Sequence, residues 1–296
     1  MTASYIALDW GSTNLRAFLY QQGECTAEVR SERGITRLEG TTPQQVFNDV
    51  IAPWQSLNLP VIMAGMIGSN AGWVDVPYLA APFSLDALGQ HLYPVHAALP
   101  VKAWIVPGIS VSRDDNCNVM RGEETQLLGA VHDSPASVYL MPGTHSKWVE
   151  TDGSQVLDFR TAMTGELHYL LMNHSLIGKG LPAQQPAADV FLQGLSKGFS
   201  QPDITGRLFE VRAAHVLNRL DKSAVSDWLS GLLIGSEVAQ MLRLFGHHHS
   251  VTLIGNPQLT ERYAQALRLA GVSWQAFDGD QAFQSGIRRI VNAMDN

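Results

Sequence analysis

Along the chain, short apolar runs that end in glycine alternate with longer stretches of helical period. YIALD and LRAFLYQ each read as a strand, joined by a turn of small residues from Gly11 to Asn14. In TPQQVFNDVIAPWQSL, Val46, Val50, Ile51 and Trp54 recur at helical spacing behind a Thr42-Pro43 start signal. PVIMAG and KAWIVPG read as short buried strands that run into glycine, and NVMRGEETQLLGAV reads as a helix with acids in its first turn. SVYLMPG and KWVETDG repeat the order of strand, turn and strand. GELHYLLMNHSLIG, SDWLSGLLIGSEVAQMLRLF and TERYAQALRLAG are helical, SVTLIGN is a further strand, and AFQSGIRRIVNAM is a closing amphipathic helix. Such alternation predicts an α/β protein.

One pattern occurs twice. A shift of 132 positions carries Leu8-Asp9-Trp10-Gly11-Ser12 onto Leu140-Met141-Pro142-Gly143-Thr144, and Thr13 and Asn14 onto His145 and Ser146. Both segments have an apolar run before the glycine and a strand after it, which predicts a duplicated strand-turn-strand. The copies differ at one position that matters chemically: the first has Asp9 where the second has Met141.

Composition narrows the classes. The chain has 296 residues, 45% hydrophobic and 16% charged, enough for two cores and too apolar for long disorder. A net charge of −7 disfavours a nucleic-acid partner, which needs a basic face. Cys25 and Cys117 match no metal spacing, and two thiols in so long a chain suit a reducing compartment. The opening MTASYIALDW has no basic leader, and no run reaches the roughly 18 apolar residues of a membrane span. A cytoplasmic protein without membrane partners is expected; a homodimer is compatible with the sequence.

The turns carry the first candidate chemistry. A hairpin turn rich in glycine and hydroxyls aims several backbone N–H groups into one hollow, which suits phosphate oxygens. Gly11 allows close approach, Ser12 and Thr13 add donors, and Asp9 at the strand end can hold Mg²⁺ through its waters. The chain lacks both the dinucleotide glycine fingerprint and the Gly-Lys-Ser/Thr of a P-loop. His247-His248-His249 has no second ligand set at metal spacing and reads as a polar loop; Lys147 reads as a solvent-facing strand position.

Against these residues, ALDWGSTNLRAFL resembles the first phosphate motif of the sugar kinase, Hsp70 and actin superfamily, YLMPGTHSKWV its second, and VTLIGNPQLTERYAQAL its adenosine motif. MAGMIGSNAGWVDVPYLAAP, VMRGEETQLLGA and TAMTGELHYLLMNHSLIG narrow the likeness, nearly end to end, to the 2-dehydro-3-deoxygalactonokinase family. The resemblance implies an α/β, two-lobed, duplicated actin-like ATPase (ribonuclease H-like) fold with an interlobe cleft. It places a first lobe at 1–130, a second at 131–280, and a helix at 281–296 returning to the first. Gly129 and Gly286 would let two helices approach closely at the hinge.

The activity implied is transfer of the ATP γ-phosphoryl to the 6-hydroxyl of a 2-keto-3-deoxy sugar acid, with Mg²⁺. ATP would be held by Asp9, Gly11, Ser12, Thr13, Asn14 and Arg16, by Gly143, Thr144, His145 and Ser146, and by Gly255 and Asn256. Glu123, or else Glu124, would be the base; adjacent helical residues lie about 100° apart, so only one can face the acceptor. The loop Gly65, Met66, Ile67, Gly68, Ser69 and Asn70 would hold the acceptor, with Trp73 and Tyr78 as walls or as packing. Arg16, Arg33, Arg37, Arg121 and Arg160 all lie near the motifs as partners for a substrate carboxylate; Arg160 and Thr164 would bring the second lobe onto it. Two alternatives stay open: a kinase for another sugar acid or ketose, and a non-catalytic actin- or Hsp70-like nucleotide module; a sugar-sensing regulator would need a DNA-binding module, for which residues 1–5 leave no room.

Overall fold

The computed structural model describes residues 3–97, 99–246 and 250–294, so the triple histidine at 247–249 lies outside the described residues. Contacts divide the chain into two units, Met1–Pro135 with Thr151–Asp158 and Gly279–Asn296, and Ala136–Glu150 with Phe159–Asp278.

The first unit opens on β1 (Tyr5–Trp10), β2 (Leu15–Gln21), β3 (Glu24–Ser31), α1 (Pro43–Ile51) and β4 (Val61–Ala64). Three two-residue strands follow, β5 (Leu79–Ala80), β6 (Phe83–Ser84) and β7 (Tyr93–Pro94), and then the longer β8 (Ala103–Ile105). Then come β9 (Ile109–Arg113), β10 (Asn116–Met120) and α2 (Glu123–Asp133). The main sheet has the order β3-β2-β1-β4-β8-β7, with β1, β4 and β8 parallel and the β1–β2–β3 meander antiparallel. Because its central strands are covered on both faces, they are apolar throughout, and Ile6, Leu8, Trp10, Val61, Met63 and Ile105 fill one core.

In the second unit, β11 (Val138–Met141), β12 (Ser146–Asp152) and β13 (Gln155–Ala162), apart from the Thr151–Asp158 stretch assigned to the first, lead into α3 (Thr164–His174), α4 (Ala188–Ser200), α5 (Leu208–Val216) and α6 (Val225–Phe245). The unit continues with β14 (Ser250–Gly255), α7 (Pro257–Leu269) and β15 (Ser273–Asp278), before α8 (Gly279–Met294) rejoins the first unit. Its strands run β13-β12-β11-β14-β15, with β11, β14 and β15 parallel. The topology of the first sheet is thereby repeated: a central strand, a hairpin on one side and two parallel strands on the other. α4 and α6 add a close helix pair. Gly194 and Gly198 face Gly231 and Gly235, where an added Cβ would come within 2.3 Å of a carbonyl oxygen on the opposite helix.

The duplication is real, but its register changes within the turn. Asp9 stands opposite Arg16 and Met141 opposite Lys147, so the second turn is one residue shorter and Lys147, not Trp148, answers to Arg16. Lys147 is also buried, contrary to the solvent-facing position expected, because Ser146 to Val149 are buried on both faces of β12. NVMRGEETQLLGAV is likewise not one helix. Gly122, at φ +108°, separates the strand β10 from a helix that starts only at Glu123. α1 begins as expected, with a Thr42–Gln45 capping box and Pro43 in its first turn. It tightens to a 3₁₀ turn from Ala52, where Pro53 has no N–H to continue an α-helix.

In the first unit, α2 and α8 touch backbone to backbone. A Cβ on Gly286 would lie 1.9 Å from the Thr125 carbonyl oxygen, and one on Gly129 2.1 Å from that of Ala282. Gly286→Ala should therefore separate the helices and cost about 1–3 kcal/mol, seen as a melting midpoint several degrees lower; an unchanged midpoint would contradict this packing.

Candidate functional site

The turn after β1 is shaped by its own chain and by a brace. Gly11 N–H donates to Asn14 O (2.9 Å), and Gly34, Ile35 and Thr36 donate to the carbonyls of Thr13, Gly11 and Ser12 (3.2, 3.0 and 2.8 Å). The Trp10 indole donates to Arg33 O (3.0 Å), fixing the strand end. These bonds use the carbonyls of the turn. Ser12, Thr13 and Asn14 are exposed, and among the described residues their N–H groups donate to nothing in the protein. The turn borders a cavity of about 680 Å³, lined also by Asp9, Arg16, Arg30, Ser31 and Glu32.

Inside this cavity, Arg16 is held by two acids. Its Nη2 lies 2.5 Å from Asp9 Oδ2, its Nη1 donates to Asp280 at the start of α8, and Arg30 stands 3.7 Å from the other Asp280 oxygen. Burial weakens the Arg16 charge, but the Asp9 and Asp280 carboxylates outweigh it and its pKa is raised. Arg33, another candidate, is engaged at the surface with Asp49 (2.9 Å).

The proposed acceptor loop and the acid pair meet at the end of the same strand. Gly65, at φ +99°, lets the chain turn after β4, where a Cβ would lie 2.7 Å from the Trp10 carbonyl oxygen. A Cβ on Gly122 would lie 3.1 Å from Gly65 Cα, so the ends of β1 and β4 and the start of α2 converge. Arg121 joins them: its Nη2 donates to Val76 O (2.6 Å), its guanidinium lies 4.2 Å over the Tyr78 ring, and Gly68 leaves room for it. Ile67 is core, Ser69 closes the loop by donating to Met66 O (2.7 Å), and Trp73 packs on Phe47 with ring centroids 5.4 Å apart.

The two acids differ. Glu123 is half-buried and accepts from the Arg121 N–H (2.9 Å). Glu124 is fully buried and takes the Gly122 N–H on both oxygens (3.0 and 2.7 Å). Burial first, then the Glu123 charge, push the Glu124 carboxyl up to about 8.

The second turn rests on α3. A Cβ on Gly165 would lie 2.5 Å from Gly143 O, Glu166 N–H donates to Thr144 O (3.0 Å), and the Glu166 carboxylate lies 2.5 Å from His145 Nε2. Gly143 and Thr144 also border a cavity of about 290 Å³ with Thr164, His168, Leu233, Leu259 and Tyr263. The Asn256 side chain caps α7 by accepting from Gln258 N–H (2.8 Å), beside Gly255.

Beneath this turn lies a network that sequence reading missed. Buried Glu237 accepts from Trp148 Nε1 (2.8 Å), from the Tyr263 hydroxyl (2.6 Å) and from Thr164, and Tyr263 in turn bonds Ser146 (2.8 Å). Burial raises the Glu237 pKa while these donors pull it back. Thr164 and Ser146 therefore turn their hydroxyls into the protein. The signal was present as a lone acid in the apolar run GLLIGSEVAQML. Nothing local marked Arg30, Glu32 or Asp280 as neighbours of the first turn, because sheet pairing and the return of α8 bring them there.

Sheet order repeated across two units, each with a glycine-bearing turn after its central strand, defines the class: an actin-like ATPase and sugar-kinase fold. An activator of 2-hydroxyisocaproyl-CoA dehydratase from Clostridium difficile, solved with bound ADPNP, shares that fold at TM-score 0.53 and 12% identity, over 99% of this chain and 96% of the other. Within the class, the 2-keto-3-deoxy-galactonokinase family model matches residues 9–290, and the chain belongs to that family. It is 53% identical to the 2-dehydro-3-deoxygalactonokinase of Escherichia coli K12 over 296 residues, all of both chains. A crystal structure from Sinorhizobium meliloti, of a protein assigned to the same activity, superposes at TM-score 0.91 and 32% identity, over 98% of this chain and 99% of the other.

The buried acid has a measurable consequence. Unfolded, Glu124 titrates near the usual 4.5; folded, near 8. Between these values the folded chain holds a proton that the unfolded chain has released, so stability falls as pH rises through the window. Glu124→Gln should lack this slope and gain stability relative to the parent from about pH 5 to about pH 9 in denaturant titrations. Parallel profiles for the two proteins would contradict the buried, proton-holding carboxyl.

Proposed function

We propose that the chain transfers the γ-phosphoryl of ATP to the 6-hydroxyl of 2-dehydro-3-deoxy-D-galactonate, forming the 6-phosphate in D-galactonate breakdown. The observation that carries this is the match to the E. coli kinase along the whole of both chains. A kinase for another sugar acid remains the alternative that an acceptor panel would separate; no helix among the described residues is long and apolar enough to cross a membrane.

Phosphoryl transfer asks for positioning and charge stabilisation more than for covalent chemistry. The open N–H groups of Ser12, Thr13 and Asn14 suit phosphate oxygens, and the turn Gly143 to Ser146 is the second cradle, through its backbone. Gly255, Asn256 and the partly apolar cavity beside Gly143 suit the nucleoside. Asp9 would hold Mg²⁺: it gives a carboxylate at the strand end on a cavity roomy enough for a hydrated ion, lined also by Glu32, and this ion favours few carboxylates with several waters. When bound, the ion would neutralise charge on the phosphate oxygens.

Glu123 is preferred to Glu124 as the base. At neutral pH a carboxyl titrating near 8 already carries its proton, and both Glu124 oxygens are engaged by Gly122. From the loop, half-buried Met66 and exposed Asn70 face the acceptor with Tyr78, while Ile67, Gly68 and Ser69 are buried beneath them, and Arg160 is retained as a contact from β13.

A coupled assay of ATP consumption with 2-dehydro-3-deoxygalactonate should show turnover above the blank without acceptor, and other sugar acids should give less. Asp9→Asn should lower kcat about 10²–10³-fold with its circular dichroism and melting unchanged. A fully active Asp9→Asn protein would remove the metal role, and no turnover with this acceptor would overturn the substrate.

A further inference from the structure

Arg16 stands between two acids that lie 271 positions apart in the chain. Asp9 comes from the end of β1, whereas Asp280 comes from the first turn of α8, and the guanidinium spans them with its two terminal nitrogens. Such sharing is built: Arg16 lies directly opposite Asp9 in the β1–β2 register, and Arg30, opposite Arg16 in the β2–β3 register, stands on the far oxygen of Asp280. Row and helix start thus form a chain of alternating charge: Asp9, Arg16, Asp280, Arg30. Tyr20, on the same strand as Arg16, donates to Gln284 one turn further along α8, which fixes the helix start against β2.

The arrangement poses a competition. Arg16 occupies one oxygen of Asp9, and a guanidinium held there repels a divalent cation brought to the same carboxylate and takes part of its lone pairs. We infer that Asp280 is a positioning residue for the kinase reaction: it gives Arg16 a second seat, so that Asp9 is released to the Mg²⁺ that accompanies ATP while Arg16 stays in the cavity facing the phosphates. The inference rests on the reading of Asp9 as the metal-bearing carboxylate. Without the charge of Asp280, Asp9 is the one acid left on the Arg16 guanidinium and the ion must compete harder for it.

The test is the Mg²⁺ dependence of nucleotide binding, read as binding of a fluorescent non-hydrolysable ATP analogue to the full chain across a Mg²⁺ titration. Asp280→Asn should raise the half-saturating Mg²⁺ concentration roughly fivefold, the size expected for one partly exposed ion pair, and saturating Mg²⁺ should restore the parental affinity. Asn keeps the shape of Asp, and the loss of one acid from the first turn of α8 weakens the helix start only slightly, so melting should move little. In an Arg16→Gln background the same Asp280→Asn change should produce no further shift. A parental Mg²⁺ profile for Asp280→Asn would overturn the inference, as would a shift that persists without Arg16. If instead Asp9→Asn already has the parental Mg²⁺ profile, the metal reading of Asp9 itself has failed, which is a separate outcome.

Discussion

Much of the first unit depends on how closely three pieces of backbone meet at the end of one strand. Trp10, Gly65 and Gly122 come together where β1 and β4 end and α2 begins, at separations that leave no room for a Cβ on Gly65. That approach places the β1 turn with its open N–H groups, the loop from Gly65 to Asn70 and the acid pair around a single point. It also explains the positive φ at Gly65 and Gly122, where a side chain would be strained as well as obstructed. Parallel strands with their carboxyl ends aligned are the reason the convergence happens there and not at the other edge of the sheet.

The same topology in the second unit is held by different means. Its turn is a residue shorter, carries no acid, and is stabilised from beneath by the hydrogen bonds on Glu237, which tie β12, α3, α6 and α7 together. A buried carboxylate is costly unless its lone pairs are engaged, and here three donors engage it. One copy of the motif thus carries a half-buried acid at its strand end, and the other rests on a buried acid supplied by α6.

How far the sequence could be read varies with how local the signal is. Strands β1, β2, β11 and β14 and helices α1, α3, α6, α7 and α8 were legible because apolar spacing and start signals sit within each segment. The strand β10 was not, since NVMR continues into a helix-forming run and only the backbone of Gly122 separates them. α4 and α5 passed unmarked between Pro182 and Leu220: α4 buries Phe191, Gly194, Leu195 and Gly198 at helical spacing, but half of that face is glycine, and α5 buries only Val211 and His215. Lys147 was misread because alternation of inward and outward positions fails in a strand covered on both faces. Arg16 was legible as a motif residue, yet its partner Asp280 depends on where the last helix returns, which no local pattern encodes.

The open N–H groups of the turn from Gly11 to Asn14 are the feature on which the phosphate-binding reading turns. Backbone amide hydrogen exchange, followed with increasing ATP analogue in the presence of Mg²⁺, addresses this directly. Slower exchange should develop in peptides covering this turn as the analogue saturates. Unchanged exchange there at saturating analogue would contradict it.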